Sequence, residues 1–431
     1  VIVVKNLFIG RITAGTVSVY SPAYLRIWFN RYLMANTRHM LLPLYATVYL
    51  PWFYRQLGAR IGKNTEISTL NEATPDLLEI GDGSFLADEC VIGAIRVANG
   101  SAELKPVRIG DRCFVGNSAL LKGGVTMADG SLLALLSSEG DRASLARENG
   151  QWLGSPAFQL PRNVPDMGYS EAELYTPTPQ LVLKRKFADA IRALLPAYVW
   201  LAGLMAFVAV ASAAWINLPL WGCLLMLPAA SLATSAFEIA AVAGIKWFIS
   251  GRFTQTTHPL WSDAVILDEI VNGAYESLSA SALPMLQGTP FLAPALRLFG
   301  CRIGKWCFLD TTYFSEFDLV EIGDHAALNQ GTTVQTHLFE DRVMKSGSVR
   351  IGAGCTTGNM SIVLYDTQLQ DGAVISPMAV VMKGEILSPG TRASGIPCQN
   401  MAAARRIREE TPTALPATLE TEGRNWRQAA E

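Results

Sequence analysis

The chain is written twice. Gly58-Ala59-Arg60-Ile61-Gly62-Lys63 returns as Gly300-Cys301-Arg302-Ile303-Gly304-Lys305, and Leu77-Leu78-Glu79-Ile80-Gly81-Asp82 returns as Leu319-Val320-Glu321-Ile322-Gly323-Asp324, both at an offset of 242. Val107-Arg108-Ile109-Gly110 matches Val349-Arg350-Ile351-Gly352 at the same offset. One residue earlier in register, Lys5 to Arg11 matches Lys246 to Arg252, and Gly154-Ser155-Pro156 matches Gly395-Ile396-Pro397. A duplication of this length constrains the fold to two homologous halves. A chemical group found in only one half is then a candidate for specialised function. Matched halves joined by a shared connection also predict an approximate two-fold relation between them.

Within each half an apolar or small residue recurs every six positions: Ile351, Thr357, Val363, Leu369, Ile375, Val381 and Leu387 in the second, and Ile109, Val115, Leu121, Met127 and Leu133 in the first. That period fits neither a helix nor strand alternation. It fits a parallel β-helix, in which each short strand turns one side chain inward and three corners complete a coil. The expected fold is a mixed membrane protein of two left-handed parallel β-helix domains joined by a transmembrane helical hairpin. The hand comes from a resemblance of these residues to hexapeptide-repeat acyltransferases.

Half of the residues are hydrophobic and only 17% are charged, an excess concentrated between the two repeats. Leu194 to Ile216 gives 23 residues without a charge, and Leu218 to Phe237 gives 20 more before Glu238. Each run is long enough to cross a bilayer. Lys184, Arg185, Lys186 and Arg192 precede the pair and Lys246 and Arg252 follow it, so both outer ends are expected on the cytoplasmic side of a bacterial inner membrane. By register Val1-Ile2-Val3-Val4 matches the end of the second spanning run, which predicts a longer parent chain with a further membrane helix upstream. Met40 to Phe53 and Leu278 to Leu296 read either as interfacial segments or as core helices packed against the β-helices.

The expected organisation is a membrane-helix stump and associated helices over 1–57, a first β-helix over 58–160 and a linker over 161–190. A transmembrane hairpin over 191–252, membrane-associated helices over 253–299, a second β-helix over 300–400 and a tail over 401–431 follow. Seven cysteines without metal-ligand spacing read as reduced structural thiols, and no metal site is expected. A net charge of −2 gives no reason to expect nucleic acid.

Only four histidines occur: His39, His258, His325 and His337. His337 stands in Thr336-His337-Leu338-Phe339-Glu340-Asp341-Arg342, where the first repeat has Ala94-Ile95-Arg96-Val97-Ala98-Asn99. A histidine beside two carboxylates has the parts of a general base, with Glu340 or Asp341 fixing the tautomer and Arg342 holding an anionic group. The pattern leaves open a structural or ligand-binding role for His337 and a solvating role for both acids. Asn329 is a candidate oxyanion donor, and Tyr365-Asp366 a candidate amine-orienting pair. His325 follows a Gly-Asp corner and reads as structural, and His258 as a juxtamembrane anchor. His39 aligns with Ser281. Glu238, inside an apolar run, is costly unless it faces protein.

The paired β-helix halves, the membrane hairpin, the Thr336–Arg342 stretch, Val363-Leu364-Tyr365-Asp366 and Met382-Lys383-Gly384-Glu385 together resemble the C-terminal region of single-module, membrane-bound non-ribosomal peptide synthetases of the epsilon-poly-L-lysine synthetase type. The resemblance covers residues 1 to about 405. It implies an acyl or aminoacyl transferase that forms amide bonds from an aminoacyl thioester on a phosphopantetheine carrier, or on coenzyme A. It further implies adenylation and carrier domains as partners, upstream or in trans, contact with membrane lipids and a possible homodimer. Two alternatives stand beside it: a membrane acetyltransferase using acetyl-CoA, and a non-catalytic scaffold or exporter for a peptide synthetase.

Overall fold

The computed structural model describes residues 1–41, 44–139, 144–160, 168–340 and 342–401. The Ala402–Glu431 tail lies outside them, as does Asp341. In each half, short parallel strands stack into three sheets that form the faces of a prism. Successive partners such as Arg350, Gln368 and Ile386 are 18 residues apart, one coil. The six-residue beat is the inward position: Ile351, Thr357, Val363, Leu369, Ile375 and Val381 are each at most 2% exposed. Each such aliphatic side chain contributes about 1.5–3 kcal/mol when fully buried. Corner aspartates add hydrogen bonds between coils, as where Asp82 accepts from Lys63 N and Asp371 from Ala353 N, so both the interior and the corners hold the stack.

A prism of this kind has two open ends, where unpaired strand edges would invite further pairing. The lower ends are closed by short amphipathic helices. Tyr49–Gln56 buries Leu50, Phe53 and Tyr54 on the first β-helix, and Leu292–Phe299 buries Leu292, Leu296 and Phe299 on the second. In both, an arginine of the helix donates to two carbonyls of the first strand: Arg55 to Ile61 and Gly62, Arg297 to Ile303 and Gly304. Of the two readings of these apolar segments, the contacts match core helices.

The duplication extends to buried polar pairs. Lys5 Nζ lies 2.7 Å from Asp76 Oδ2, which also accepts from Ile12 N. Lys246 Nζ lies 2.6 Å from Asp318, which accepts from Phe253 N. The long helices that follow start alike. Ser21 accepts from Tyr24 N ahead of Pro22–Leu41, and Ser262 caps Val265 N ahead of Asp263–Ala280, so the two helices correspond residue by residue at an offset of 241.

Between the repeats run two antiparallel helices, Pro179–Asn217 and Leu220–Ile249, both long and apolar enough to cross a membrane. Their most apolar windows are only 6% and 22% buried, unlike a core hairpin. The first helix begins within the span expected as linker, because Pro179 starts it and Thr178 caps it through Leu181 N. Its opening turns carry a buried ionic network. Arg185 bonds Glu269 at 2.6 Å and reaches Glu66 and Asp189 at 3.3 Å, while Arg192 bonds Glu269 at 3.2 Å and the Ala46 carbonyl at 3.0 Å. The uncharged run starts one residue beyond Ala193, so the network ties the base of the hairpin to both repeats. Gly273 has no side chain where one would meet Arg192, since a Cβ there would lie 2.8 Å from Arg192 Nε.

The two-fold relation is corrected by the contacts between the repeats, which run one way. The hairpin of the second repeat, His337–Glu340 with Val343–Ser346, docks on the first β-helix. Phe339 packs 5.2 Å from Phe85, and Arg342 donates to the carbonyls of Asn64, Gly83 and Leu174. The corresponding strand of the first repeat, Arg96–Ala98, is exposed throughout. A two-fold axis would have buried both hairpins, so the repeats associate head to tail.

Candidate active site

His337 sits where the second repeat meets the first. The alternation of its strand puts His337 and Phe339 on one face, their rings 5.6 Å apart, and Leu338 and Glu340 on the other. Its Nδ1 lies 2.8 and 2.9 Å from the two oxygens of Glu316. Glu316 occupies a left-handed backbone position, φ 34°, which for a residue with a side chain costs on the order of 1–3 kcal/mol and is retained where the surroundings fix it. Those surroundings are specific. Thr336 Oγ1 donates to Oε2 of Glu316 at 2.6 Å, and Asn272 Nδ2 donates to Oε1 at 3.2 Å and to Oδ2 of Asp268 at 3.0 Å.

The charges in this cluster sort themselves. Burial and the adjacent Glu316 charge push the Asp268 carboxyl well above the usual carboxylate range. Burial would also raise Glu316, but the His337 charge and three donors outweigh it and hold it below its ordinary value. Burial likewise pulls the imidazole down. The Glu316 carboxylate prevails over it and pushes His337 up to about 9. An ionised carboxylate only accepts, so Nδ1 carries a proton and Nε2 is the nitrogen left for chemistry. Near neutral pH the resting pair is imidazolium and carboxylate, a proton donor first and an acceptor only after it has given one up.

The first repeat shows what the position looks like without this chemistry. Asp268 corresponds to Ile27, Glu316 to Thr74 and His337 to Ile95. Ile27 and Ile95 join one apolar cluster with Ile9, Ile12 and Leu104. An oily site and an acid–histidine site thus occupy equivalent places in the two halves.

The other sequence candidates fall elsewhere. Glu340 is held between Lys345, at 2.8 Å, and Lys383, which outweigh burial and keep it ionised. It points away from the ring it was expected to orient, and Glu316 does that work. Arg342 is buried in the clamp on the first repeat rather than open to an anionic substrate. Asn329 Nδ2 donates to the Thr357 carbonyl at 2.7 Å, within the coil stack. Tyr365 is buried, its phenol pushed up by burial, and Asp366 is exposed at a corner. His325 is an exposed left-handed corner, and His258 lies in a strand paired with Met344. Comparing the copies position by position would have found Asp268, which replaces the apolar Ile27, and Glu316, an acid in place of Thr74; they lie 69 and 21 residues before His337 in the chain.

The same three side chains place ligand atoms within 4.8 Å of one another, a spacing that a divalent cation could use. Without a metal, Glu316 and His337 bond each other and Asp268 Oδ2 accepts from Asn272, while the buried Asp268 Oδ1 has no partner among the described residues. All seven cysteines are free, and burial raises the thiols of Cys90, Cys113 and Cys301. None stands in this cluster.

No family model matches the sequence. Over 384 residues, 88% of this chain, it is 36% identical to a delta-poly-L-ornithine synthetase of Acinetobacter baumannii. The chain spans 29% of that relative's length. Among solved structures, a maltose O-acetyltransferase from Clostridium difficile 630 aligns with 39% of this chain and 86% of its own, at 15% identity and a TM-score of 0.22. AntD, an N-acyltransferase from Bacillus cereus, aligns with 85% of this chain and 97% of its own, at 10% identity and a TM-score of 0.17. At those scores neither fixes the fold or the chemistry.

Proposed function

We propose that this chain is the amide-forming part of a membrane-attached acyltransferase. It joins an aminoacyl group, delivered as a thioester on a phosphopantetheine carrier arm, to the amine of another amino acid. One observation carries this: the proton-transfer set His337, Glu316 and Asp268 is built into the second repeat alone, at the seam with the first. The similarity to a delta-poly-L-ornithine synthetase supports a basic amino acid as acceptor. Adenylation and carrier domains, upstream or in trans, are the partners this reading requires. The exposed apolar helix pair supports insertion in the cytoplasmic membrane, with both repeats on the cytoplasmic side.

In this reading the second β-helix is catalytic, the first is the other wall of the site, and both have the left-handed coil of hexapeptide-repeat transferases. The amine nitrogen attacks the thioester carbonyl, a C–N bond forms and the C–S bond breaks. His337 Nε2 gives its proton to the leaving thiolate, and the neutral ring then takes the surplus proton of the new amide nitrogen. Glu316 fixes the ring and carries its counter-charge. No acyl-enzyme is required.

The test is amide formation by the purified chain in detergent, from ornithinyl-N-acetylcysteamine thioester and free ornithine, followed by mass spectrometry. Product above the uncatalysed background is expected, with loss in His337→Ala. Background rates from the wild-type chain would sink the proposal.

A further inference from the structure

The helix Asp263–Ala280 carries three polar residues in one line. Asp268, Asn272 and Glu276 are spaced i, i+4 and i+8, which places them on one face. The first two reach Glu316. Glu276 stands one turn on, about 6 Å along the axis. It is exposed to solvent and forms no hydrogen bond among the described residues, and it feels the charges of His337 and of Asp88 on the first β-helix. It therefore follows Asn272 on the helix face that meets Glu316. In the first repeat the same helical face reads Ile27, Arg31 and Ala35. The polar line exists only where the histidine exists.

We infer that Glu276 is a second proton-transfer residue of this site, the group that takes the first proton from the incoming ammonium so that the nitrogen can attack. The inference rests on the amide-forming reading. An amino acid acceptor arrives as an ammonium ion, with no lone pair for attack. His337, protonated on both nitrogens near neutral pH, has no vacancy for that first proton. Glu276 takes it and passes it to water. The neutral amine then attacks, the thiolate leaves with the His337 proton, and the imidazole accepts the remaining proton of the nitrogen, so every proton has a stated origin and destination. The surroundings suit an acceptor working near neutrality. Although its side chain reaches solvent, the protein packed around it weakens hydration of the Glu276 carboxylate and pushes the carboxyl up to about 7; Arg192 and His337 draw it down, and Asp88 and Glu269 push it up.

The experiment compares two acceptors in the thioester assay at pH 7. Ornithine must lose a proton before attack, whereas hydroxylamine is already neutral. Glu276→Gln is expected to cost about a hundredfold or more with ornithine and less than about threefold with hydroxylamine. With ornithine its rate should climb with pH as free amine accumulates, and Glu276→Asp should recover part of the loss. Unchanged melting temperatures establish that each variant folds. Equal losses with both acceptors, or none with either, would overturn the inference. A wild-type chain that makes no amide with either acceptor would overturn the amide reading, and this inference with it.

Discussion

His337 Nδ1 lies 2.8 Å from Oε1 of Glu316, a residue 21 positions earlier in the chain that holds a left-handed backbone conformation to reach it. Groups specific to the second repeat converge on that contact: Thr336 and Asn272 donate to the carboxylate, and Asp268 lies beside it with its carboxyl pushed above the usual range by burial and the Glu316 charge.

His337→Ala should lower amide formation by about a hundredfold to ten-thousandfold with little change in fold. Glu316→Gln should follow it closely, because a neutral amide neither holds the imidazolium nor fixes its tautomer. Glu340→Gln, which touches two lysines instead, should leave turnover near that of the wild type. Steady-state rates on the thioester substrate check all three, and full activity of His337→Ala would remove it from the mechanism.

The pair also has a signature in stability. His337 is raised in the folded chain to about 9 from an ordinary 6.5, so its contribution is fully present below pH 6.5 and is lost as pH rises through about 9. Glu316 is lowered, so its share is present above its ordinary value and is lost as pH falls through the depressed one. The difference in melting temperature between wild type and His337→Ala should therefore shrink from pH 6 to pH 10. A difference that stays flat over that range would contradict the pairing.

Arg342 is expected to act on assembly rather than on chemistry. Arg342→Ala removes donors to the Asn64, Gly83 and Leu174 carbonyls and should cost about 2–4 kcal/mol. Hydrogen exchange should quicken around Gly83 and Leu174 while the coil interiors stay protected. Protection unchanged at the seam would show that the apolar contacts alone hold it.

Cysteines placed at Lys186 and Gly251 flank the helix pair. In membrane vesicles an impermeant thiol reagent should label both from one side only. Labelling from opposite sides would break the hairpin topology.

Chelation should leave amide formation unchanged, because both oxygens of Glu316 and His337 Nδ1 bond each other and Asn272 bonds Glu316 and Asp268 Oδ2. Among the described residues this leaves only Asp268 Oδ1 as an unpartnered carboxylate oxygen of the cluster, too few for a held cation. Loss of activity on chelation, restored by a defined divalent cation, would convert the cluster into a metal site.

Repetition made the architecture legible. A six-residue period with glycine corners specifies coils locally, because each strand needs only its own inward side chain, and the inward set from Ile351 to Leu387 could be read directly. The two uncharged runs declared themselves by length and composition. His337 was also visible as a histidine without a counterpart. Its partner was not. Glu340 and Asp341 are neighbours in sequence, but strand alternation turns Glu340 to the opposite face from the ring, and the acid that meets it arrives from a turn 21 residues earlier. The one-way docking of the repeats was equally hidden, since duplicated sequence is compatible with two-fold and head-to-tail packing alike. The choice depends on which surfaces are complementary, here Phe339 against Phe85 and Arg342 against the Gly83 carbonyl. Local sequence thus determined the coils and the apolar helices, whose energetics are set by neighbours one turn or one coil away. Tertiary structure decided which carboxylate faces the histidine and what closes the site, because those contacts join elements whose separation carries no periodic signal.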